Sequence, residues 1–162
     1  AVNGPAVGGG CQLALACDFI YAADTATFWE IFGRIGLPLE GGAAWLLTRS
    51  ISLPSAKEMA VLAEPIDAAK AERWGLINEC LPVDQVEARA LEVARKIVDM
   101  GPPNAGPAAG GPARDLSARV GHIKGQINAA WEQSLWQSFR EEVTLMNIPA
   151  GDVVTDPGGT GH

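Results

Sequence analysis

Along the chain the apolar positions fall into short runs broken by glycine and proline, and each run predicts an element. Cys11 to Cys17, built of small and apolar residues, reads as a helix, and Asp18 to Ala23, rich in β-formers, as a buried strand. Ala26 to Arg34 fits either state. The density of Gly and Pro in Gly36-Leu37-Pro38-Leu39-Glu40-Gly41-Gly42 predicts a loop, after which Ala43 to Leu47 begins a helix. Pro54 to Ala63 reads as a helix with proline in its opening turn, where the missing N–H costs nothing. Asp67 is placed to cap a helix that ends at Gly75, and Leu76 to Leu81 returns as a short strand. Asp84 with Glu87 three residues on resembles a capping box. It precedes an amphipathic helix carrying Val86, Ala90, Val93, Ala94 and Ile97 on one face.

After Met100 the character changes. Gly101 to Gly106, and on through Pro112, predict a loop, because Gly and Pro penalties of about 1 and 3 kcal/mol per residue would accumulate in a helix. Ile123, Ile127, Trp131, Leu135, Phe139 and Val143 then recur every four residues, one apolar stripe on a helix of roughly 25 residues. The stripe reads as a docking face, with an aromatic ligand site on Trp131 and Trp136 as the alternative. Pro149 to His162 is rich in Gly and Pro and reads as a flexible tail. The organisation expected is a core over residues 1–83, a helical region over 84–148 and a tail over 149–162.

Composition narrows the partners. The 162 residues, 48% of them hydrophobic, suffice for one domain with a core. A net charge of −7 argues against nucleic acid or an anionic membrane surface as partner. Leu13 to Ala23 is too short to span a bilayer and is interrupted by Asp18. Cys11, Cys17 and Cys80 lack metal-ligand spacing and read as small buried residues of a protein kept in a reducing compartment such as the cytoplasm. No metal site is expected.

The chemistry concentrates in Ala1-Val2-Asn3-Gly4-Pro5-Ala6-Val7-Gly8-Gly9-Gly10-Cys11-Gln12, which reads as strand, glycine turn and helix start. Three glycines in succession let the main chain approach a bound group closely, and the opening helix adds unpaired amides and a positive dipole end. Such a corner suits an anion, or an oxygen about to become one. A phosphate loop would need Lys-Ser/Thr after its glycines, and the first lysine here is Lys57. The spacing also differs from the dinucleotide G-x-G-x-x-G pattern. Close packing of helix on sheet is the purely structural alternative.

With its continuation through Phe19-Ile20-Tyr21-Ala22-Ala23, Ala26-Thr27-Phe28, Gly36-Leu37, Gly41-Gly42, Ala56-Lys57-Glu58-Met59, Ile66-Asp67-Ala68-Ala69 and Trp74-Gly75-Leu76-Ile77-Asn78, this segment resembles the enoyl-CoA hydratase/isomerase (crotonase) family over about residues 1 to 100. The resemblance implies an α/β fold: the carboxy-terminal part of a spiral of β-β-α turns, followed by helices that mediate trimer contacts. It implies a homotrimer or dimer of trimers. It also implies an acyl-CoA thioester as ligand, coenzyme A being part of the substrate and no separate cofactor being needed. Family members normally carry several elements ahead of the Ala1-Val2-Asn3-Gly4 strand, including the loop with the second oxyanion donor. The chain therefore resembles an amino-terminally truncated member, and the fragment alone is expected to be a very poor catalyst.

By the same resemblance Gly9 supplies one oxyanion N–H, with Gly8 and Gly10 beside it. The two glutamates of a family hydratase fall, by spacing, on Gln12 and Phe32, neither of which transfers a proton. The run Phe32-Gly33-Arg34-Ile35-Gly36-Leu37 with Trp45-Leu46-Leu47 is closer to the branch that moves double bonds or opens acyl-CoA adducts, which often keeps one acid in the loop after Gly-Leu. Glu40 holds that place and is the expected acid/base, with Gln12, Phe32 and Leu37 around the substrate. A solvated loop glutamate is the plain alternative for Glu40, and Glu30 is a second candidate acid. A non-catalytic crotonase-fold protein that binds acyl-CoA or a sister subunit is the alternative to an enzyme.

Overall fold

A computed structural model describes residues 1–99, 116–131 and 137. The chain divides into two units, Ala1–Arg95 and Lys96–His162. In the first, β1 (Ala6–Val7) leads into α1 (Gly9–Leu15), followed by β2 (Tyr21–Ala23), β3 (Thr27–Trp29) and a 3-10 turn at Ile31–Ile35. Then come α2 (Ala43–Ser50), α3 (Leu53–Leu62), β4 (Ile66–Asp67), α4 (Ala68–Trp74), β5 (Glu79–Leu81) and α5 (Val86–Asp99), whose last residues fall in the second unit.

Strands β1, β3 and β4 form one sheet with β3 in the middle, parallel to β1 and antiparallel to β4. Strand β2 pairs in parallel with β5, and Val2 extends that pairing through bonds of 2.8 and 2.9 Å with Tyr21 and Ala23. All three residues of β2 are buried, as a parallel strand covered on both faces requires. It is shorter than the expected Asp18 to Ala23. The amide of Ile20 leaves the ladder to donate to Asn78 Oδ1 at 2.6 Å, and Asn78 N returns a bond to the Ile20 carbonyl at 2.8 Å.

The same local accounting explains the other boundaries. Helix α1 starts two residues before the expected Cys11, because Gly8 at φ +50° turns the chain out of β1 and into the helix. The Ala26 to Arg34 stretch holds both states in turn, strand then 3-10. Ser52 caps α3 by accepting from Ser55 N at 3.3 Å, with Pro54 in the first turn. Gly75, at φ +78°, ends α4 as expected, but the amide of Leu76 bonds back to Ala71 at 2.9 Å, so β5 begins only at Glu79. Helix α5 begins at Val86. Val86 is buried and Ala90 and Val93 lie against the core, whereas Ala94 is exposed and leaves the expected face. Arg89 fastens this helix to β5 through Glu79 Oε2 at 2.8 Å.

Phe28, Leu47, Met59 and Val86 are the largest apolar side chains buried outright, and α4 approaches the strands through Ala68 and Ala71, both fully buried. Asp67 caps α4 by accepting from Lys70 N at 2.6 Å. Asp67→Ala is expected to lower unfolding free energy by about 1 kcal/mol, read from urea titration. Of the cysteines expected to be buried, Cys11 is, Cys80 is half-buried and Cys17 is exposed, since it falls beyond the last turn of α1.

In the second unit, α6 spans Leu116–Ala129, and Ala130 and Trp131 form a turn. The helix expected to run about 25 residues thus breaks before Trp131. Ile123, Ile127 and Trp131 are exposed. The expected loop at 101–112, the remaining stripe residues Leu135, Phe139 and Val143, Trp136 and the tail at 149–162 lie outside the described residues. No described helix is long and apolar enough to cross a membrane.

Candidate active site

The end of β1 and the start of α1 make the glycine corner. Gly8 N donates to the Trp29 carbonyl at 2.8 Å, which fastens the corner to the central strand, and the Gly8 carbonyl accepts from Cys11 N at 2.8 Å and Gln12 N at 3.1 Å. Gly9 and Gly10 occupy the first two helical positions, where an amide has no carbonyl one turn earlier to bond, and both residues are exposed. The main chain therefore presents two polarised N–H groups at one spot.

A side chain at Gly8 would be strained at φ +50° and would touch Ile31 and the Phe32 ring, each 3.7 Å from the place of a Cβ. Phe32 thus packs under the corner. Along the Gly10, Leu13 and Ala14 face of α1 and past its end to Cys17 runs a cleft of about 440 Å³, lined also by Asn3, Pro5, Phe19 and Ile20.

On the other side of α1 two polar side chains are buried among apolar neighbours. Gln12 is 7% exposed and Glu30 not at all, and Gln12 Nε2 donates to Glu30 Oε2 at 3.0 Å. Glu30 stands at the end of β3, just before the 3-10 turn, and its Oε1 is buried without a hydrogen-bond partner. Burial pushes the Glu30 carboxyl above its ordinary range, opposed by the nearby Cys11 thiol and Gln12 amide. Burial, reinforced by Glu30, likewise keeps the Cys11 thiol protonated. Sequence reasoning named both Gln12 and Glu30 but not their bond. The signal was a lone acid inside the apolar run Phe28-Trp29-Glu30-Ile31-Phe32.

The loop after Leu37 comes close to Gln12. Gly41, at φ +60°, sits so near that a Cβ would lie 3.1 Å from Gln12 Oε1. Glu40, its neighbour, is exposed, and its carbonyl accepts from Ala43 N at 3.0 Å as the chain enters α2. Leu37 is 46% exposed and its amide bonds the Phe32 carbonyl at 3.0 Å. The structure thus gathers Gly8, Gly9, Gln12, Phe32 and the Glu40–Gly41 peptide around one corner. Glu30 lies behind Gln12, away from solvent. Gly41→Ala should cost about 1–2 kcal/mol in urea unfolding, since it combines a left-handed conformation with a displaced Gln12. Among the described residues no three His, Cys, Asp or Glu side chains gather as metal ligands would.

The model of the enoyl-CoA hydratase/isomerase family matches residues 1–109. The chain belongs to this family. A probable enoyl-CoA hydratase of Rhodobacter capsulatus is 46% identical over 99 residues, which cover 59% of this chain and 38% of that protein. The mitochondrial enoyl-CoA hydratase of Pongo abelii is 33% identical over 145 residues, 90% of this chain and 45% of that protein. The crystal structure of an enoyl-CoA hydratase from Bacillus anthracis superposes with a TM-score of 0.75 at 29% identity, covering 88% of this chain and 50% of the other. The chain spans about half the length, or less, of these relatives, and its fold is a partial crotonase fold.

Proposed function

We propose that this chain carries the oxyanion corner and the proton-moving acid of an enzyme that shifts a double bond in an enoyl-CoA thioester, or rearranges it, through an enolate. The amide of Gly9, with Gly10 beside it, takes the thioester oxygen together with a second donor from the loop that precedes this segment in family members. Phe32 and Leu37 border the acyl group, and Gln12 Oε1 accepts from a water held at the corner. Glu40 removes a proton from one carbon and returns it to another while the amides carry the transient charge. The observation that carries this reading is the pair of exposed first-turn amides beside a loop whose acid adjoins Gly41, which rests on Gln12. Gln12 and Phe32 disfavour hydration by two carboxylates, since an amide and a phenyl ring exchange no proton.

The acyl-CoA ligand, trimeric assembly and cytoplasmic location belong to the same proposal. The names of the relatives favour hydration as the second reading. Incubating the full natural polypeptide with 3-enoyl-CoA and 2-enoyl-CoA esters in D2O separates the two. Migration of the double bond with deuterium in the product is expected. Conversion of 2-enoyl-CoA to 3-hydroxyacyl-CoA supports the hydratase instead, and binding without turnover supports the non-catalytic alternative.

A further inference from the structure

The buried pair behind the glycine corner has a feature that packing does not account for. A fully buried carboxyl costs stability, and two apolar side chains of similar volume would fill the same space without that cost. What the carboxyl does supply is direction. A glutamine amide has a donor end and an acceptor end of nearly equal shape, and only its partners decide which way it points. Glu30 Oε2 accepts from Nε2 at 3.0 Å, and this turns Gln12 Oε1 toward the glycines, 3.8 Å from the place of a Cβ at Gly9 and 3.1 Å from one at Gly41.

We propose that Glu30 is a positioning residue: it holds the Gln12 amide with its acceptor oxygen turned to the corner formed by Gly9 and Gly41, where it accepts from a held water. This rests on the functional reading above. Without Glu30 the amide can turn over and present N–H groups to the same spot, so that the held water loses its acceptor.

The test combines a double-mutant cycle with a spectrum of the amide itself, both on the full natural polypeptide. Gln12→Met and Glu30→Met are each expected to lower kcat about tenfold with KM within about threefold, and the double variant to lose no more than either. Glu30→Gln, which keeps an acceptor for Gln12, should recover to within about threefold of the natural rate. Losses that multiply in the double variant, or that fall on KM alone, overturn the proposal. So does a kcat loss in Glu30→Gln equal to that in Glu30→Met, which would make Glu30 a proton carrier.

If no enoyl-CoA is turned over, the functional reading fails, and the side-chain 15N–1H signals of Gln12 decide the positioning by themselves. Slow exchange in the natural chain, lost in Glu30→Met, supports it, and identical signals in the two overturn it. Where Glu30→Met does not fold, Glu30→Gln is read in its place: slow Gln12 exchange retained supports the proposal, and its loss overturns it.

Discussion

Glu40→Gln is expected to lower turnover of an enoyl-CoA ester by the full natural polypeptide about 10²–10⁴-fold, the range spanned by one positioned acid/base. The substitution keeps the length and shape of the side chain and removes only its capacity to take a proton. Because Glu40 is exposed in its loop, stability should move by less than about 0.5 kcal/mol. The KM for the thioester should stay within about threefold, since an interaction absent from the ground state leaves binding intact. Stopped-flow measurement of double-bond migration, with the thioester's Kd from calorimetry, checks both. A rate within threefold of the natural one would reduce Glu40 to a solvated loop residue.

The second large effect is expected at Gly9. Proline at this position deletes one N–H from the corner, yet it stands at the first helical residue, where proline is well tolerated. The place of a Cβ there meets only Gln12 Oε1, at an ordinary 3.8 Å. The fold should therefore survive while kcat falls about 10²–10³-fold, or about 2.7–4 kcal/mol of transition-state stabilisation. Gly9→Ala keeps the amide and should cost far less. Equal losses in the two variants would mean that the corner acts through space and packing, and not through its hydrogen bond.

Features written in neighbouring residues were legible in the sequence. The glycine turn into α1, the Asp67 cap, the Pro54 opening turn and the Gly75 stop each depend on backbone chemistry within four positions, and each stands where its residues put it. Pairings across distance were not legible from pattern. Tyr21 to Ala23 pairs with Glu79 to Leu81 more than fifty residues later, and no periodicity encodes that; the family resemblance supplied the fold. The site divides in the same way. The expected roles of Gly9 and Glu40 came from the family resemblance, whereas the bond between Gln12 and Glu30 joins a helix to a strand end eighteen residues away. Cys17 was misjudged because a small thiol in an alanine-rich run looks buried until the helix is seen to end at Leu15.

In the proposed function the corner at Gly8 to Gly10 works through peptide groups, whereas Glu40, Gln12 and Glu30 would work through side chains. A codon change can erase a carboxylate at once, but short of proline it cannot erase an amide. Descendants of such a scaffold can therefore exchange one proton-handling residue for another, or lose it altogether, and still inherit the ability to steady a negative oxygen. New reactions on this framework need only a new side chain in the loop and not a new anchor.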